Sequence, residues 1–569
     1  MRIKFNYEIK KEDKISNYQL IDILLKNRKI KNIEEFLHPK NPLKISLFDF
    51  SSSFKEEFKA ALKILNEVKE KKQMIVVYTD YDADGITGGA ILWETLHFLG
   101  FNVMPYVPNR KTEGYGFSII GIDNVIKKFN PALIISVDHG ITKIKEVEYA
   151  KKKGIKIIIT DHHLKGEKIP KAEAIFHIPS LSGAGVSYFF SKEIFKNFEK
   201  NFGNRHACSL LQDNFSNDYL ALASIGTIAD LVPVLGPSRS IVKYGLEAFS
   251  KTKRVGIKQI LKEAGIEGKK ITSYDIGFII APRINAVGRL KDATDALRLL
   301  CTKKEDRAKM LASYLGEKNR LRQDLVEKAV DKAKQMVEKE INLFKKPLKI
   351  IILKSEDWHE GIIGLIAAKM VEGFFRPTIV LTKNDGFYKA SARSIPKFDI
   401  TAFLRRLRSF LVDVGGHKQA AGFTIEEQKI EFFKKEALKL ANQLIKDEDL
   451  EKEILVDLKI PVQKINLNWV KLLGTLYPFG IGNPEPLFFS EVKISNLHFV
   501  GKENKHLKIF VQDENHPSTL ELIAFNQAAI FKNLCRDQKI KVVYSLSIDD
   551  WGGKDKVKGK LVTWVTDGI

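Results

Sequence analysis

Cysteine is nearly absent, with Cys208, Cys301 and Cys535 the only three in 569 residues. They lie far apart and form no CxxC, which excludes a disulfide framework and a zinc knuckle and fits a reducing cytoplasm. Long apolar runs are missing as well. None approaches the roughly 20 residues that span a bilayer, so no membrane-spanning helix is expected. The opening stretch MRIKFNYEIKKEDK has no apolar signal-peptide core, and secretion by that route is not expected. No GxxxxGK[ST] loop occurs, so neither ATP hydrolysis nor a nucleotide cofactor is predicted. Internal repeats and low-complexity tracts are also lacking.

What is present is a globular composition, 44% hydrophobic and 29% charged. At roughly 150 residues per domain, the length suggests about three or four domains. Lys and Arg number 93 against 70 Asp and Glu, a formal charge of +23. That surplus favours a polyanionic partner, with nucleic acid ahead of an anionic membrane surface.

The hydrophobic pattern divides the chain. Residues 1–50 read as a small helical segment, with YQLIDILLKNR and IEEFLHP at helical spacing. From 74 to 180, short β-branched runs alternate with amphipathic stretches. MIVVY (74–78), VMPYVP (103–108), ALIISVD (132–138) and KIIIT (156–160) are the strands, and helices are placed at 85–100, near 118–129 and near 143–153. This alternation predicts βαβ units and a parallel sheet. Residues 217–300 read as mostly helical. Residues 303–342 form one long polar helix whose thin apolar stripe suits a bridge between domains and not a core. A second α/β unit opens at LKIIIL (348–353) and continues through TIVLT (378–382). After 452, ILVDLKI, VKISNLHFV, HLKIFVQ, LELIAF and KVVYSLSI read as about five strands of a small β-barrel. The expected domains are therefore 1–50, 51–302, a bridging helix at 303–346, 347–448 and 449–569.

Acidic and histidine residues fall on this map in register. Asp80, Asp82 and Asp84 follow the first strand, Asp138-His139 follows ALIIS, and Asp161-His162-His163 follows KIIIT. Ligands of open parallel sheets bind beyond the carboxyl ends of the strands, so the three clusters should converge on one crevice. Asp230, in GTIADLVPVLG, is the candidate to complete it. One Asp after a strand is ordinarily a helix cap, and DYDADG by itself resembles a calcium loop that lacks its closing Glu. Several such clusters on successive strand ends are a different matter. Carboxylates so close repel one another unless cations neutralise them. Two divalent ions about 3.5–4 Å apart would do so, and the carboxylate–imidazole mixture favours Mn²⁺ while allowing Mg²⁺.

DYDADG (80–85), VDHG (137–140), TDHH (160–163) and ADLVP (229–233) resemble the four motifs of the DHH phosphoesterase superfamily. GGHKQAAGF (415–423) resembles the associated DHHA1 domain. VPNRKTEGYGF (107–117), APRINAVGRL (281–290), WHEGIIGLIAAK (358–369), SARS (391–394) and PFGIGNPEPLF (478–488) are similar to the RecJ-type single-strand-specific 5′→3′ exonucleases, in order over nearly the whole chain. The resemblance implies an α/β architecture in four parts: a parallel-sheet DHH domain, a long bridging helix, a smaller α/β DHHA1 domain and a C-terminal OB-fold barrel. It implies one metal held by Asp82 and Asp138, and a second held by Asp84, Asp138, His162 and Asp230. Asp80, Asp161 and His163 are placed in catalysis, His163 at the substrate phosphate and Asp161 orienting a histidine. Broader DHH phosphatases carry a His where this chain has Tyr78, a departure that RecJ-type members share and that leaves Asp80 to substitute.

The same resemblance assigns Arg110, Arg283, Arg289, Ser391, Arg393 and His417 to the substrate, with a pocket for a 5′ phosphate. It implies single-stranded DNA as partner, work beside a single-strand-binding protein and a helicase in repair and recombination, a cytoplasmic location and no membrane; a monomer is expected. Phe479, Phe488, Phe489, Phe499, Phe510, Phe525 and Trp551 are the barrel aromatics that could stack on bases, most of them expected in its core. Arg405, Arg406 and Arg408 read either as part of the DNA path or as a solvated helix face. A phosphodiesterase acting on short oligonucleotides and a non-catalytic DNA-binding scaffold are the competing readings.

Overall fold

The computed structural model describes residues 2–10, 13, 15–110, 112–114, 116–199, 205–290, 292–344, 347–384, 386–528, 534–549 and 555–566. The chain divides into two compact units. The larger holds Ile3–Asn285, Asp292–Ala312 and Leu455–Ile569; the smaller holds Met1–Arg2, Ala286–Lys291 and Ser313–Ile454.

In the larger unit, five strands form an all-parallel sheet in the order Val103–Tyr106, Ile75–Thr79, Leu133–Val137, Lys156–Asp161, Ala174–His177. Ile75–Thr79 and Leu133–Val137 are buried along their whole length, which is why both read as unbroken apolar runs. Helices Ile119–Phe129 and Ile144–Lys152 supply Ile122, Val125 and Val147 to the core over one face, with Tyr78 and Phe117. Helices Ala83–Phe98 and Gly183–Phe198 are almost wholly buried and pack together. The sequence pattern finds four of the five strands; Ala174–His177, in EAIFH, is the added one. Helices then follow from Asp218 to Cys301, as expected.

The same unit contains a closed five-stranded barrel. Its strands run Phe488–Val500, His506–Gln512, Thr519–Ala524, Lys556–Thr566 and Lys539–Asp549, and the last pairs back onto the first. ILVDLKI is not a barrel strand. It splits into Glu453–Val456, paired with Arg2–Phe5, and Leu458–Lys459, parallel to Phe488–Phe489. The strand overlooked is Lys556–Thr566. Lys556, Lys558 and Lys560 make it read as a solvated loop, but Lys558 lies between Glu521 at 3.3 Å and Asp549. Residues 1–50 hold the short helices Asn17–Asn27 and Ile33–Leu37 and two 3₁₀ turns, with the strand Arg2–Phe5 added. Ile9, Leu20, Leu24, Leu25 and Phe36 share one core with Trp469, Leu476 and the barrel interior.

In the smaller unit, the sheet order is Leu411–His417, Ala420–Glu426, Phe387–Arg393, Thr378–Asn384, Ile351–Lys354, and only the last pair is parallel. The long helix runs Glu305–Phe344, 40 residues. Its stripe is thin, but it does enter a core: Ala329, Val330, Ala333 and Val337 are buried against Trp358, Ile362 and Ile366. Small side chains let the helix approach closely there, so a narrow stripe suffices. Among the described residues no helix is long and apolar enough to cross a membrane.

Candidate metal centre

The sheet brings the clusters together through strand adjacency. Leu133–Val137 lies between Ile75–Thr79 and Lys156–Asp161. The ladder continues one step past the strands: Asp80 N–H donates to Val137 C=O at 3.2 Å, and Asp138 N–H to Thr160 C=O at 3.0 Å. Asp80, Asp138 and Asp161 therefore stand side by side at the carboxyl edge. Asp138 turns the chain there with φ +69°, a left-handed conformation that Asp tolerates better than most residues.

Two further acids come from the helix that follows the first strand. Asp82 caps helix Ala83–Phe98, accepting from the N–H groups of Asp84 and Gly85 at 3.0 and 3.1 Å. The cap reading and the ligand reading thus apply to one residue. Asp84 accepts from Gly183 N–H at 2.6 Å and Ala184 N–H at 2.9 Å, at the start of helix Gly183–Phe198, where backbone donors and the helix dipole favour an anion. A Cβ on Gly183 would lie 2.4 Å from Asp138 Cβ, and one on Gly226 would lie 2.3 Å from Asp84 Oδ1. These glycines make room for the carboxylates, and sequence reasoning passed over both; the signal was a run of small residues, SGAG and SIG, next to the motifs. It also passed over Asn285, whose Oδ1 accepts from Ala83 N–H at 2.7 Å.

His162 Nε2 lies 3.0 Å from Asp138 Oδ1, 3.4 Å from Asp230 Oδ2 and 3.8 Å from Asp84 Oδ2. Three groups of ligand atoms each fit within 4.8 Å: Asp84/His162/Asp230, Asp80/Asp82/Asp138 and Asp138/His162/His163. Both carboxylate oxygens of Asp80, Asp138 Oδ1 and His162 Nε2 are buried without a hydrogen-bond partner among the described residues. Unpaired buried carboxylates are costly. Burial first, then neighbouring acids, push Asp80, Asp82 and Asp138 above the usual carboxylate range, and Asp230 up to about 8. Burial lowers the His162 imidazole pKa, favouring the neutral form, in which one ring nitrogen carries a lone pair. Orphaned acceptors, mutual repulsion and a carboxylate–imidazole donor set fit two divalent cations. Asp80, expected in a catalytic role, stands in the same three-acid group as Asp82 and Asp138.

Asp161 is arranged differently. Its carboxylate accepts from Ile141, His162 and His163 N–H at 2.8, 2.7 and 3.0 Å and meets His163 Nδ1 at 2.8 Å. Burial works against its charge, but the His163 bond and these amides hold it well below the usual range. Burial likewise lowers His163, and the Asp161 bond outweighs it, so its pKa rises to about 9. Tyr78 is a core side chain, its hydroxyl donating to Gly116 C=O at 3.3 Å and its ring edge-on to His139.

The expected substrate residues fall in both units. In the larger, Arg110 lies 5.5 Å from the Tyr81 ring centroid. Arg283 is tied to Glu263 at 2.7 Å and donates to Ile279 C=O at 2.8 Å, the geometry of a helix brace. In the smaller, Arg289 donates to Gly361 C=O at 3.3 Å. Arg393 Nη1 donates to Ser391 Oγ at 3.1 Å. A Cβ on Gly364 would meet Arg393 Nη2 at 2.9 Å and Ser391 Oγ at 3.1 Å, so this pair covers the first turn of helix Ile363–Phe374. His417 is exposed and shares a register row with Ala420 and Arg393. Arg405, Arg406 and Arg408 are exposed. Of the barrel aromatics, Phe488 and Phe489 are core, Phe479 and Phe510 half-buried, and Phe499 and Phe525 are 41% and 47% exposed. Trp551 lies outside the described residues. A cavity of about 1390 Å³ lined by Tyr18, Leu37, Lys243, Phe249 and Tyr477 has none of the acid–histidine cluster in its wall.

Three family models match in order: the DHH family N-terminal domain over residues 74–227, the DHHA1 domain over 348–447 and the RecJ OB domain over 456–562. The single-stranded-DNA-specific exonuclease RecJ of Haemophilus influenzae is 32% identical over 565 residues, 96% of each chain. RecJ of Bacillus subtilis is 32% identical over 92% of this chain, which spans 64% of that protein's length. The crystal structure of RecJ from Thermus thermophilus in complex with Mn²⁺ superposes with TM-score 0.78 at 26% identity, covering all of this chain and 80% of the other. Its Mg²⁺ complex gives 0.70 at 25%. Three domain matches in sequence, a relative aligned almost end to end, and an acid–histidine cluster on the strand ends lead to one assignment: the chain belongs to the RecJ family of DHH phosphoesterases.

Proposed function

We propose that the protein hydrolyses single-stranded DNA from its 5′ end to 5′-mononucleotides, through two divalent ions held by Asp80, Asp82, Asp84, Asp138, His162 and Asp230. The observation that carries this reading is the buried cluster of unpartnered carboxylate and imidazole atoms at the sheet's carboxyl edge. When bound, Mn²⁺ or Mg²⁺ supplies a water whose pKa falls toward about 7 and positive charge for the phosphoryl oxygens. The chain's own residues prepare the rest. Backbone amides of Gly183 and Ala184 hold Asp84 in one orientation. Asp161 holds His163 as a cation beside the acids, suited to a phosphate oxygen.

End choice is assigned to Ser391 and Arg393, which lie over a helix N-terminus where amides, hydroxyl and guanidinium suit a terminal phosphate. His417 lies in the same register row as Arg393, and Arg110 and Arg289 are phosphate contacts. Arg283, braced by Glu263, is given a structural role instead. Phe499 and Phe525 on the barrel can stack on bases, worth about 1–3 kcal/mol each. Action as a monomer beside a single-strand-binding protein and a helicase completes the reading.

One single-stranded oligonucleotide, labelled at either end and incubated with Mn²⁺, Mg²⁺ or EDTA, tests it. Early release of 5′ mononucleotides, blocked by EDTA, is expected. Shortening from the 3′ end would overturn the assignment of Ser391 and Arg393. Cleavage of dinucleotides alone would move the substrate to short oligonucleotides, and no cleavage with either metal would leave a binding scaffold.

A further inference from the structure

Asp230 ends helix Asp218–Ala229, and the chain turns through Leu231, at φ +58°, to Val234 before helix Gly236–Ala248 begins. Two of the turn's own hydrogen bonds are long: Leu231 N–H reaches Ile228 C=O at 3.3 Å and Val232 N–H reaches Thr227 C=O at 3.3 Å, beyond the usual optimum. Asp230 N–H to Gly226 C=O at 3.0 Å and Leu235 N–H to Pro233 C=O at 2.8 Å hold its two ends. A segment far away in sequence also grips the turn. Val234 N–H donates to Ile481 C=O at 2.7 Å. A Cβ on Gly480 would lie 2.6 Å from Val234 Cγ2, and one on Gly482 would lie 3.1 Å from Leu235 Cδ1. Arg239, on the helix after the turn and fully buried, donates to the carbonyls of Leu476, Tyr477 and Pro478 at 3.1, 3.0 and 3.1 Å.

That gripping segment is itself rigid. Asn483 is fully buried, and its Nδ2 donates to Leu476 and Pro478 carbonyls at 2.7 and 2.9 Å. Its Oδ1 accepts from Arg28 Nε at 3.1 Å. A stiff loop leading into the first barrel strand thus sets the backbone that presents Asp230.

We propose that Pro478–Asn483 is a positioning element of the metal centre, holding the Asp230 turn in the conformation that aims its carboxylate at His162 and Asp84. The C-terminal barrel region then helps to build the hydrolytic site besides offering a surface for DNA. Gly480 and Asn483 act through Val234 and touch neither metal nor substrate. The inference rests on Asp230 being a metal ligand.

Mn²⁺ titration calorimetry on the full chain tests it without measuring cleavage. Gly480→Ala drives a methyl into Val234 and is expected to weaken Mn²⁺ binding about tenfold, the usual size for groups that orient a ligand. Val234→Ala removes the struck methyl, so the double variant Gly480→Ala/Val234→Ala is expected to recover affinity. Should Gly480→Ala fail to fold, Asn483→Ala loosens the segment without a clash and is expected to weaken binding in the same direction. Asp230→Asn separates the two layers. If Asp230→Asn weakens Mn²⁺ binding while a folded Gly480→Ala and Asn483→Ala bind as the parent does, the positioning role falls and the ligand reading stands. If Asp230→Asn binds unchanged, the ligand reading falls and takes the proposal with it. Weakened binding in Gly480→Ala with no recovery in the double variant also overturns the positioning role, because the effect then does not pass through Val234.

Discussion

The metal centre should weaken the fold whenever no metal is bound, and Asp138→Asn is the substitution that exposes this. Asp138 is 2% exposed, its Oδ1 has no hydrogen-bond partner, and it is surrounded by Asp84, Asp82, Asp230 and Asp80. At an effective dielectric near 20, a like-charge pair at about 4 Å costs roughly 4 kcal/mol. Protonation offers an escape, and neutralising an ordinary carboxyl at pH 7 costs about 4 kcal/mol, which caps the penalty. Asparagine keeps the shape, cannot ionise and accepts the left-handed backbone at φ +69°. In EDTA at pH 7, Asp138→Asn should therefore be more stable than the parent by about 1–3 kcal/mol. In Mn²⁺ the order should reverse, because only the parent gains the full binding energy, about 2.7 kcal/mol at a hundred times the dissociation constant. The sign with pH follows from burial and neighbours raising the Asp138 carboxyl. The folded state then binds more protons than the unfolded one, so metal-free stability falls as pH rises above about 4, and the variant lacks this contribution. Thermal melts of both proteins in EDTA and in Mn²⁺, from pH 4 to 8, decide the matter. A variant that melts lower than the parent in EDTA at pH 7 would refute the idea that uncompensated charge is stored at this site.

Three other outcomes follow from individual side chains. Burial lowers the His139 imidazole to about 4, so the unfolded chain takes up a proton that the folded one refuses as pH drops from about 6.5 to 4; the parent should lose about 3 kcal/mol over that window relative to His139→Gln, measured as the difference between their urea midpoints. Glu94 holds Arg254 at 2.5 Å in the interior, and Glu94→Ala, which strands the guanidinium, should cost about 3–5 kcal/mol in thermal or urea unfolding. Arg393→Ala should remove the preference for 5′-phosphorylated over 5′-hydroxyl oligonucleotides, with KM for the phosphorylated end rising about tenfold or more, since hydrogen bonds to charged groups are worth about 1.5–3 kcal/mol.

The acid–histidine cluster was legible because parallel sheets present their loops at one edge. An Asp after MIVVY, after ALIIS and after KIIIT needed only strand adjacency to converge, and Ile75–Thr79, Leu133–Val137 and Lys156–Asp161 are indeed neighbours. What stayed hidden depended on partners distant in sequence. Gly183 looks like any loop glycine until Asp138 is seen against it. Arg283 sits inside a motif that reads as substrate-binding, and only the fold reveals Glu263 at 2.7 Å. Lys556–Thr566 reads as a loop because of its lysines, and only the fold reveals that Lys558 is matched by Glu521 and Asp549 on other strands. The long helix reads as a solvated bridge because alanines at its buried positions add little apolar signal, although Ala329 and Ala333 are core. Periodicity records which face is apolar; it does not record how closely a neighbour can approach.

Arg239 shows how far that reasoning extends, since nothing in GPSRSIV marks it. It is completely buried and hydrogen-bonds to four main-chain carbonyls: Phe36 at 2.7 Å, Tyr477 at 3.0 Å, and Leu476 and Pro478 at 3.1 Å. The Phe36 ring centroid lies 3.8 Å from its guanidinium. The planar fork can serve four acceptors at once. A lysine ammonium has three donors in a tetrahedral head, so Arg239→Lys must give up at least one of the four charge-assisted bonds, at about 1.5–3 kcal/mol, although Asn483 Nδ2 keeps the Leu476 and Pro478 carbonyls paired. It also loses the flat stack on Phe36. A total near 2–4 kcal/mol is expected. Because the carbonyls belong to the N-terminal segment and to the loop before the barrel, both should lose amide protection together in hydrogen exchange, around residues 33–37 and 474–483. The acceptors are uncharged and shielded from solvent, so raising the salt concentration should not change the effect, whereas an exposed ion pair would be screened. Protection that falls in only one of the two segments, or a loss that salt abolishes, would show that Arg239 does not join them.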